Sequence, residues 1–206
     1  MSTILVITAS PRSERSASRA LTTGFAGLWA RHHPQDTVLL RDIGHHPVPH
    51  VTEPWVVGAF APAEAQSAES KAAIMVSDQL VDEFLSADRY VLGVPMYNFN
   101  IPSTLKAYID QIVRAGRTFA LGPNGSEGLV KNKKALFITT RGGDYGPGTP
   151  MAAYNLQEPY LRLIFGFIGV TDVQFVTADS MNRGEDAARL SREKAENALK
   201  ELAAAW

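Results

Sequence analysis

Thr3-Ile4-Leu5-Val6-Ile7-Thr8 runs directly into Ala9-Ser10-Pro11-Arg12-Ser13-Glu14-Arg15-Ser16-Ala17-Ser18. The first six residues read as a strand that is apolar on both faces, as in the middle of a sheet covered on both sides. The next ten are rich in hydroxyls and cannot continue a strand past Pro11. A helix follows over about residues 16–33, because Leu21, Phe25, Leu28 and Trp29 recur at i, i+4, i+7 and i+8. Buried strand, polar turn and amphipathic helix, in that order, open a βαβ unit.

The alternation then repeats. Residues 37–40 read as a second strand. Residues 42–66 hold four prolines and little periodicity, so they read as a long connection. Its Trp55, Val56, Val57 and Phe60 are too apolar for a free linker, and a subunit interface is expected there. A second helix is expected over about 67–86, with Ile74, Leu80, Val81, Phe84 and Leu85 inward. A third strand follows at 89–94. Pro102 opens a third helix, with Leu105, Ile109, Ile112 and Val113 on one face and Gly116 just past its end. Residues 134–140 read as a fourth strand, 151–167 as helix, 172–176 as a fifth strand and 184–205 as a closing helix. Five strand–helix units predict an α/β fold. The sheet is expected to be doubly wound, five-stranded and parallel, with helices on both faces and right-handed crossovers. No repeat, low-complexity tract or linker interrupts it, so 1–206 reads as one domain. The common order for such a sheet is 2-1-3-4-5, with the ligand crevice at the carboxyl ends of strands 1 and 3.

Composition narrows the function classes. The chain has 206 residues, 45% apolar and 20% charged, with a formal charge of -1. No basic field points to nucleic acid or an anionic membrane. Cysteine is absent, which removes disulfides, iron–sulfur clusters, thiolate zinc sites and a cysteine nucleophile. No stretch approaches the roughly 20 apolar residues of a membrane helix, and residues 1–7 have no signal-peptide pattern. A soluble cytoplasmic protein is expected. All five histidines lie within 32–50, and the pattern His45-His46-Pro47-Val48-Pro49-His50 reads as a surface loop, with no metal expected. Lys106 and Asp110 are expected to form an exposed i, i+4 pair of little energetic weight.

The topology rule directs attention to the loops after strands 1, 3 and 4. The first ends at a helix N-terminus, where free N–H groups and the helix dipole favour an anion, and Ser10, Ser16 and Ser18 add hydroxyls. An ordinary helix capped by Ser16 is the alternative. This loop is neither G-x-G-x-x-G nor G-x-x-x-x-G-K-[ST]. The second, Pro95-Met96-Tyr97-Asn98-Phe99-Asn100-Ile101-Pro102, sets aromatics and amides between two prolines. A pre-formed wall for a flat heterocycle fits it, and a turn with core aromatics is the alternative. The third, Thr140-Arg141-Gly142-Gly143-Asp144-Tyr145-Gly146, lets backbone approach a ligand closely, or is a flexible turn.

Pro95 to Asn100, then Leu105-Lys106-Ala107-Tyr108-Ile109-Asp110, Arg114-Ala115-Gly116 and Thr118-Phe119 closely resemble the FMN-dependent NADH-azoreductases. These belong to the flavodoxin-like NAD(P)H:quinone reductase group. The likeness extends over nearly the whole chain, through Gly125 to Val130, Thr140 to Gly143 and Phe165-Gly166-Phe167-Ile168-Gly169. It implies a flavodoxin-like fold, non-covalent FMN and two-electron transfer from NADH or NADPH to a quinone or azo compound; a single predicted crevice serving both substrates leads to an expectation of ping-pong kinetics. By the resemblance, Ser10, Ser16, Ala17 and Ser18 hold the FMN phosphate. Met96, Tyr97, Asn98 and Phe99 line the isoalloxazine, and Thr140, Arg141, Gly142 and Gly143 meet its pyrimidine edge. Asn98, Phe119, Tyr145 and Phe165 are expected in the acceptor pocket. Tyr145 is the one side chain offered as proton donor, water being the alternative. The resemblance further implies a homodimer. The family often has Ser where Thr140 stands, and residues 11–15 and 144–149 follow no fixed pattern. A flavodoxin-type electron carrier serving a protein partner is the competing class. Such carriers are usually strongly acidic, and this chain is nearly neutral.

Overall fold

The computed structural model describes residues 1–123 and 125–206. Along the chain lie β1 (Thr3–Thr8), α1 (Ala17–His32), β2 (Thr37–Asp42), α2 (Glu53–Phe60), α3 (Ala68–Ser86), β3 (Arg89–Pro95) and α4 (Ser103–Ile112). Then follow β4 (Phe119–Gly122), β5 (Gly125–Gly128), β6 (Lys134–Thr140), α5 (Gln157–Ile168), β7 (Asp172–Ala178) and α6 (Glu185–Ala205). The main sheet has five parallel strands in the order β2-β1-β3-β6-β7. Counted among themselves these follow the expected 2-1-3-4-5.

Strand side chains alternate between two cores. Ile4, Val6, Val91, Leu136 and Ile138 pack with Leu21, Phe25 and Trp29 of α1 and Leu199 of α6. Leu5, Ile7, Tyr90, Leu92 and Phe137 pack with Phe84 of α3, Tyr108 of α4 and Phe165 of α5. The sheet is thus covered on both sides, which is why its strands read as unbroken apolar runs. Helix α1 lies close across β3 because Gly93 has no side chain. A Cβ there would stand 2.3 Å from Thr22 Oγ1. That contact brings the start of α1 to the carboxyl ends of β1 and β3.

Three expectations are corrected. The connection at 42–66 contains α2. Thr52 caps it, its hydroxyl accepting from Trp55 N at 3.4 Å, and Pro54 sits in the first turn, where no N–H is needed. Trp55 is buried and its indole Nε1 donates to Gln111 Oε1 at 2.7 Å. Gly58 lies so close to α3 that a Cβ would meet Ser70 O at 2.6 Å. Second, the hairpin β4–β5 was not expected. Its strands are four residues each and mostly exposed, so no apolar alternation marks them. Third, the helix expected from 151 begins at Gln157, after a 3-10 turn at Ala152–Tyr154. Pro159 can sit only in a first turn, and Asn155 Oδ1 accepts from Glu158 N at 3.3 Å just ahead of it.

Candidate active site

An open crevice of about 610 Å³ lies at the carboxyl ends of the central strands. Ser10, Ser16, Ala17 and Ser18 line one end, and Met96, Tyr97, Thr140, Arg141 and Gly142 line the other. The facing wall was not foreseen. It comes from Met181 and Asn182 after β7 and Arg192 of α6. The same topology rule, extended to the loop after the last strand, would have pointed there.

In the first loop Ser16 is the N-cap of α1, its hydroxyl accepting from Arg19 N at 3.2 Å. Ser16 Oγ lies 3.3 Å from Ser18 Oγ, and Ser10 Oγ accepts from Arg12 N at 3.2 Å. The N–H groups of Ala17 and Ser18 have no acceptor among the described residues, as expected in the first turn of a helix. Three nearly buried hydroxyls and two free N–H groups therefore converge at the positive end of a 16-residue helix. The loop's shape is held from behind by Arg19, which sequence reasoning missed. Its guanidinium donates to Asp42 at 2.7 and 2.9 Å, to Thr8 Oγ1 at 3.1 Å, to Ser10 O at 2.7 Å and to Arg12 O at 3.1 Å. Partial burial alone would raise the Asp42 carboxyl. Hydrogen bonds from Arg19 and from His45 N outweigh it and hold the group far below the usual carboxylate range. The spacing of Arg19 four residues into an amphipathic helix carried no signal of this role.

The second loop is a tight two-residue turn. Tyr97 and Asn100 exchange both backbone hydrogen bonds at 2.9 and 3.0 Å, and Asn98 and Phe99 take φ values of 47° and 69°. That is the geometry of a type I′ turn. Asn tolerates it, but a bulky aromatic at positive φ is strained, and such strain gathers at functional sites. The N–H groups of Asn98 and Phe99 have no protein acceptor among the described residues. Both residues stand outside the crevice walls. Phe99 meets Tyr145 at 6.1 Å and Tyr154 at 5.3 Å between ring centroids, an aromatic cluster joining the second and third loops.

In the third loop the carbonyls of Gly142 and Gly143 accept from Asn182 N and Ser180 N, both at 2.9 Å. Their own N–H groups have no acceptor among the described residues. A Cβ on Gly142 would come within 2.6 Å of Asn182 Nδ2. Two of the expected site residues have buried side chains. The Arg141 side chain is 3% exposed and turns inward, with Nε donating to Gln157 Oε1 at 3.1 Å, while its backbone N–H donates to Ala178 O at 2.9 Å and its carbonyl accepts from Met181 N at 3.0 Å. Phe165 is 1% exposed, packed at 4.9 Å on Phe137 and 6.1 Å on Phe84, because Leu161, Phe165 and Ile168 form the inward stripe of α5. It belongs to the core and is not among the residues that line the crevice. Phe119 sits in β4 against Phe167 at 4.8 Å, away from the crevice walls. Tyr145 lies beside Gly143, whose Cβ would be 3.2 Å from its ring. Outside the crevice, His45 Nδ1 contacts Asp42 at 3.0 Å, and Lys106 meets Asp110 at 2.6 Å on the exposed face of α4.

The family model described as "Flavodoxin-like fold" matches residues 2–203. An FMN-dependent NADH:quinone oxidoreductase 2 of Trichormus variabilis is 58% identical over 207 residues, covering 100% of both chains. An FMN-dependent NADH:quinone oxidoreductase of Nostoc punctiforme is 57% identical over 206 residues, again with 100% of both covered. Among solved structures, azoreductase AzrA superposes with a TM-score of 0.93 at 30% identity, over 99% of this chain and 100% of that one. An FMN-dependent NADH-azoreductase from Bacillus anthracis in complex with FMN gives 0.88 at 26%, over 98% of this chain and 100% of that one. With a crevice built from these three loops and matches of this extent, the chain belongs to the flavodoxin-like family that includes the FMN-dependent NADH:quinone oxidoreductases.

Proposed function

We propose that the chain acts as one FMN-binding domain over 1–206 that reduces quinones and azo compounds at the expense of NADH. The observation that carries this reading is the crevice itself. A cluster of hydroxyls and free N–H groups at one end suits a phosphate, and a wall of Met96, Tyr97 and glycine-lined backbone at the other suits a flat ring. The relatives' names give the cofactor, reductant and acceptor class.

FMN fits the residues present. Ser10, Ser16 and Ser18, with the N–H groups of Ala17 and Ser18, would hold its phosphate. Met96 and Tyr97 would flank its ring, and Thr140 with the N–H groups of Gly142 and Gly143 would bond its pyrimidine edge. The Asn98–Phe99 turn follows Tyr97 just outside the crevice walls and would reach the ring only through its two unpaired N–H groups. Bound FMN supplies a centre that takes a hydride from NADH and passes two electrons to the acceptor. The protein's part is position and field. Phe99, Tyr145 and Tyr154 form an apolar flank on which the nicotinamide and then the acceptor stack, each in the same place. Water or the Tyr145 hydroxyl delivers the proton to the reduced acceptor. We place the enzyme in the cytoplasm, where its reductant is made. We also read it as a homodimer, because Val56, Val57 and Phe60 of α2 are 47%, 40% and 66% exposed on one short helix.

One shared place for both substrates requires ping-pong kinetics. Initial rates at several fixed quinone concentrations should give parallel double-reciprocal lines against NADH. Intersecting lines would show a ternary complex and overturn the shared site.

A further inference from the structure

Behind the two loops that face the ring end of the crevice lies a buried polar bridge. Gln157, the first residue of α5, is 0% exposed. Its Nε2 donates to Val94 O at 3.1 Å, immediately before Pro95, and its Oε1 accepts from Arg141 Nε at 3.1 Å, immediately before Gly142. Met96 N donates to Thr140 O at 2.8 Å and Leu156 N donates to Phe99 O at 3.1 Å, so the start of α5 ties both loops together. The guanidinium in this bridge is poorly matched. Arg141 Nη1 is 3.7 Å from Asp179 Oδ1, and Nη2 is 3.5 Å from Glu158 Oε2. Arg141 Nη2 and Asp179 Oδ1 are both buried without a hydrogen bond.

We propose that Gln157 and Arg141 form a buried positioning pair that fixes the gap between the two loops and keeps a positive charge beneath the crevice, where it favours the reduced cofactor. The inference rests on the reading of the crevice as an FMN site. A strut alone has no use for a cation, and burying one with imperfect partners is costly. Glu158 and Asp179 stand at ion-pair distance from the guanidinium, but neither hydrogen-bonds it, so the charge is only partly screened. Glu158 is bonded more closely by Arg162, at 2.7 and 3.1 Å. Burial raises the Asp179 carboxyl above the usual carboxylate value, against the pull of Arg141. Hydride transfer brings two electrons and one proton to a neutral ring system. The reduced cofactor therefore carries one more negative charge than the oxidised, and a fixed cation close by binds it more tightly.

The test is the two-electron midpoint potential of bound FMN, with the affinity for oxidised FMN measured alongside. R141M should weaken binding of reduced relative to oxidised FMN by tenfold to a hundredfold, a fall of about 30 to 60 mV at 29.6 mV per tenfold. R141K keeps the charge and should stay within twofold. Q157E leaves an acceptor for Arg141 Nε while adding a negative charge, and should lower the potential as R141M does. Q157L should weaken oxidised FMN about tenfold through the loops, with the potential little changed. Loss of affinity in R141M and Q157E with no change in potential would leave a purely structural bridge and overturn the proposal. Failure of the unaltered protein to bind FMN would instead remove the functional reading beneath it.

Discussion

Gly44 shows how much of the site depends on groups that never touch a ligand. A Cβ there would stand 2.0 Å from Ser10 O, a backbone atom that cannot give way without moving the hydroxyl loop. Gly44→Ala should weaken FMN at least tenfold and cost about 1–3 kcal/mol of stability, read by flavin fluorescence titration and urea unfolding. Gly24 in α1 has open space around it. Gly24→Ala should leave FMN binding unchanged and add about 0.5–1 kcal/mol. Asp42 carries a pH signature. Its carboxyl is lowered in the folded protein by Arg19 and the backbone, so its contribution is complete above the unfolded value of about 4 and is lost as pH falls through the folded value. Asp42→Asn lacks that slope. The stability gap between the two proteins should be full at about pH 5 and narrow toward about pH 2.5; a gap independent of pH would count against the pairing. The hydroxyls of the first loop and the glycines of the third were legible because their types announce anion and backbone contacts. Arg19 and Asp42 were not, since a charged residue on a helix and one at a strand end ordinarily face solvent.

Strand and helix periodicity was legible wherever burial imposed it. The runs at 4–7, 90–94 and 135–138 lie in the middle of the sheet, and both flanking cores demand apolar side chains. The misses fall where local chemistry outweighs pattern. Helix α2 is eight residues long and exposes three of its apolar side chains, so it has no polar face to show a period. Its one firm anchor is Trp55. Trp55→Phe keeps the ring but loses the bond to Gln111, and should cost about 1–2 kcal/mol. Trp55→Ala should cost about 3–5 kcal/mol, with thermal unfolding as the measurement. The late start of α5 was hidden by apolar residues upstream, although Pro159 marks it. That start matters because it delivers Gln157 to the back of both ring-facing loops. The strained Asn98–Phe99 turn was visible only as a proline-bracketed loop, because Phe does not advertise positive φ.

Taken together, two apolar cores hold five parallel strands whose carboxyl ends open into one crevice. The topology rule located that crevice from sequence, but not its far wall on α6, which depends on where a distant helix returns. Exposed α2 predicts self-association. Val57→Asp combined with Phe60→Asp should shift the protein from dimer to monomer in sedimentation velocity, while single changes elsewhere on the surface should not. Unchanged dimerisation would move the interface off α2. The claim that the crevice holds FMN and serves both substrates is tested most directly by the visible spectrum of the purified protein, recorded anaerobically. Flavin bands should be present, bleach on addition of NADH and return on addition of a benzoquinone. Bands that ignore NADH would contradict the oxidoreductase reading in favour of an electron carrier, and a protein that takes up no flavin from added FMN would contradict the site itself.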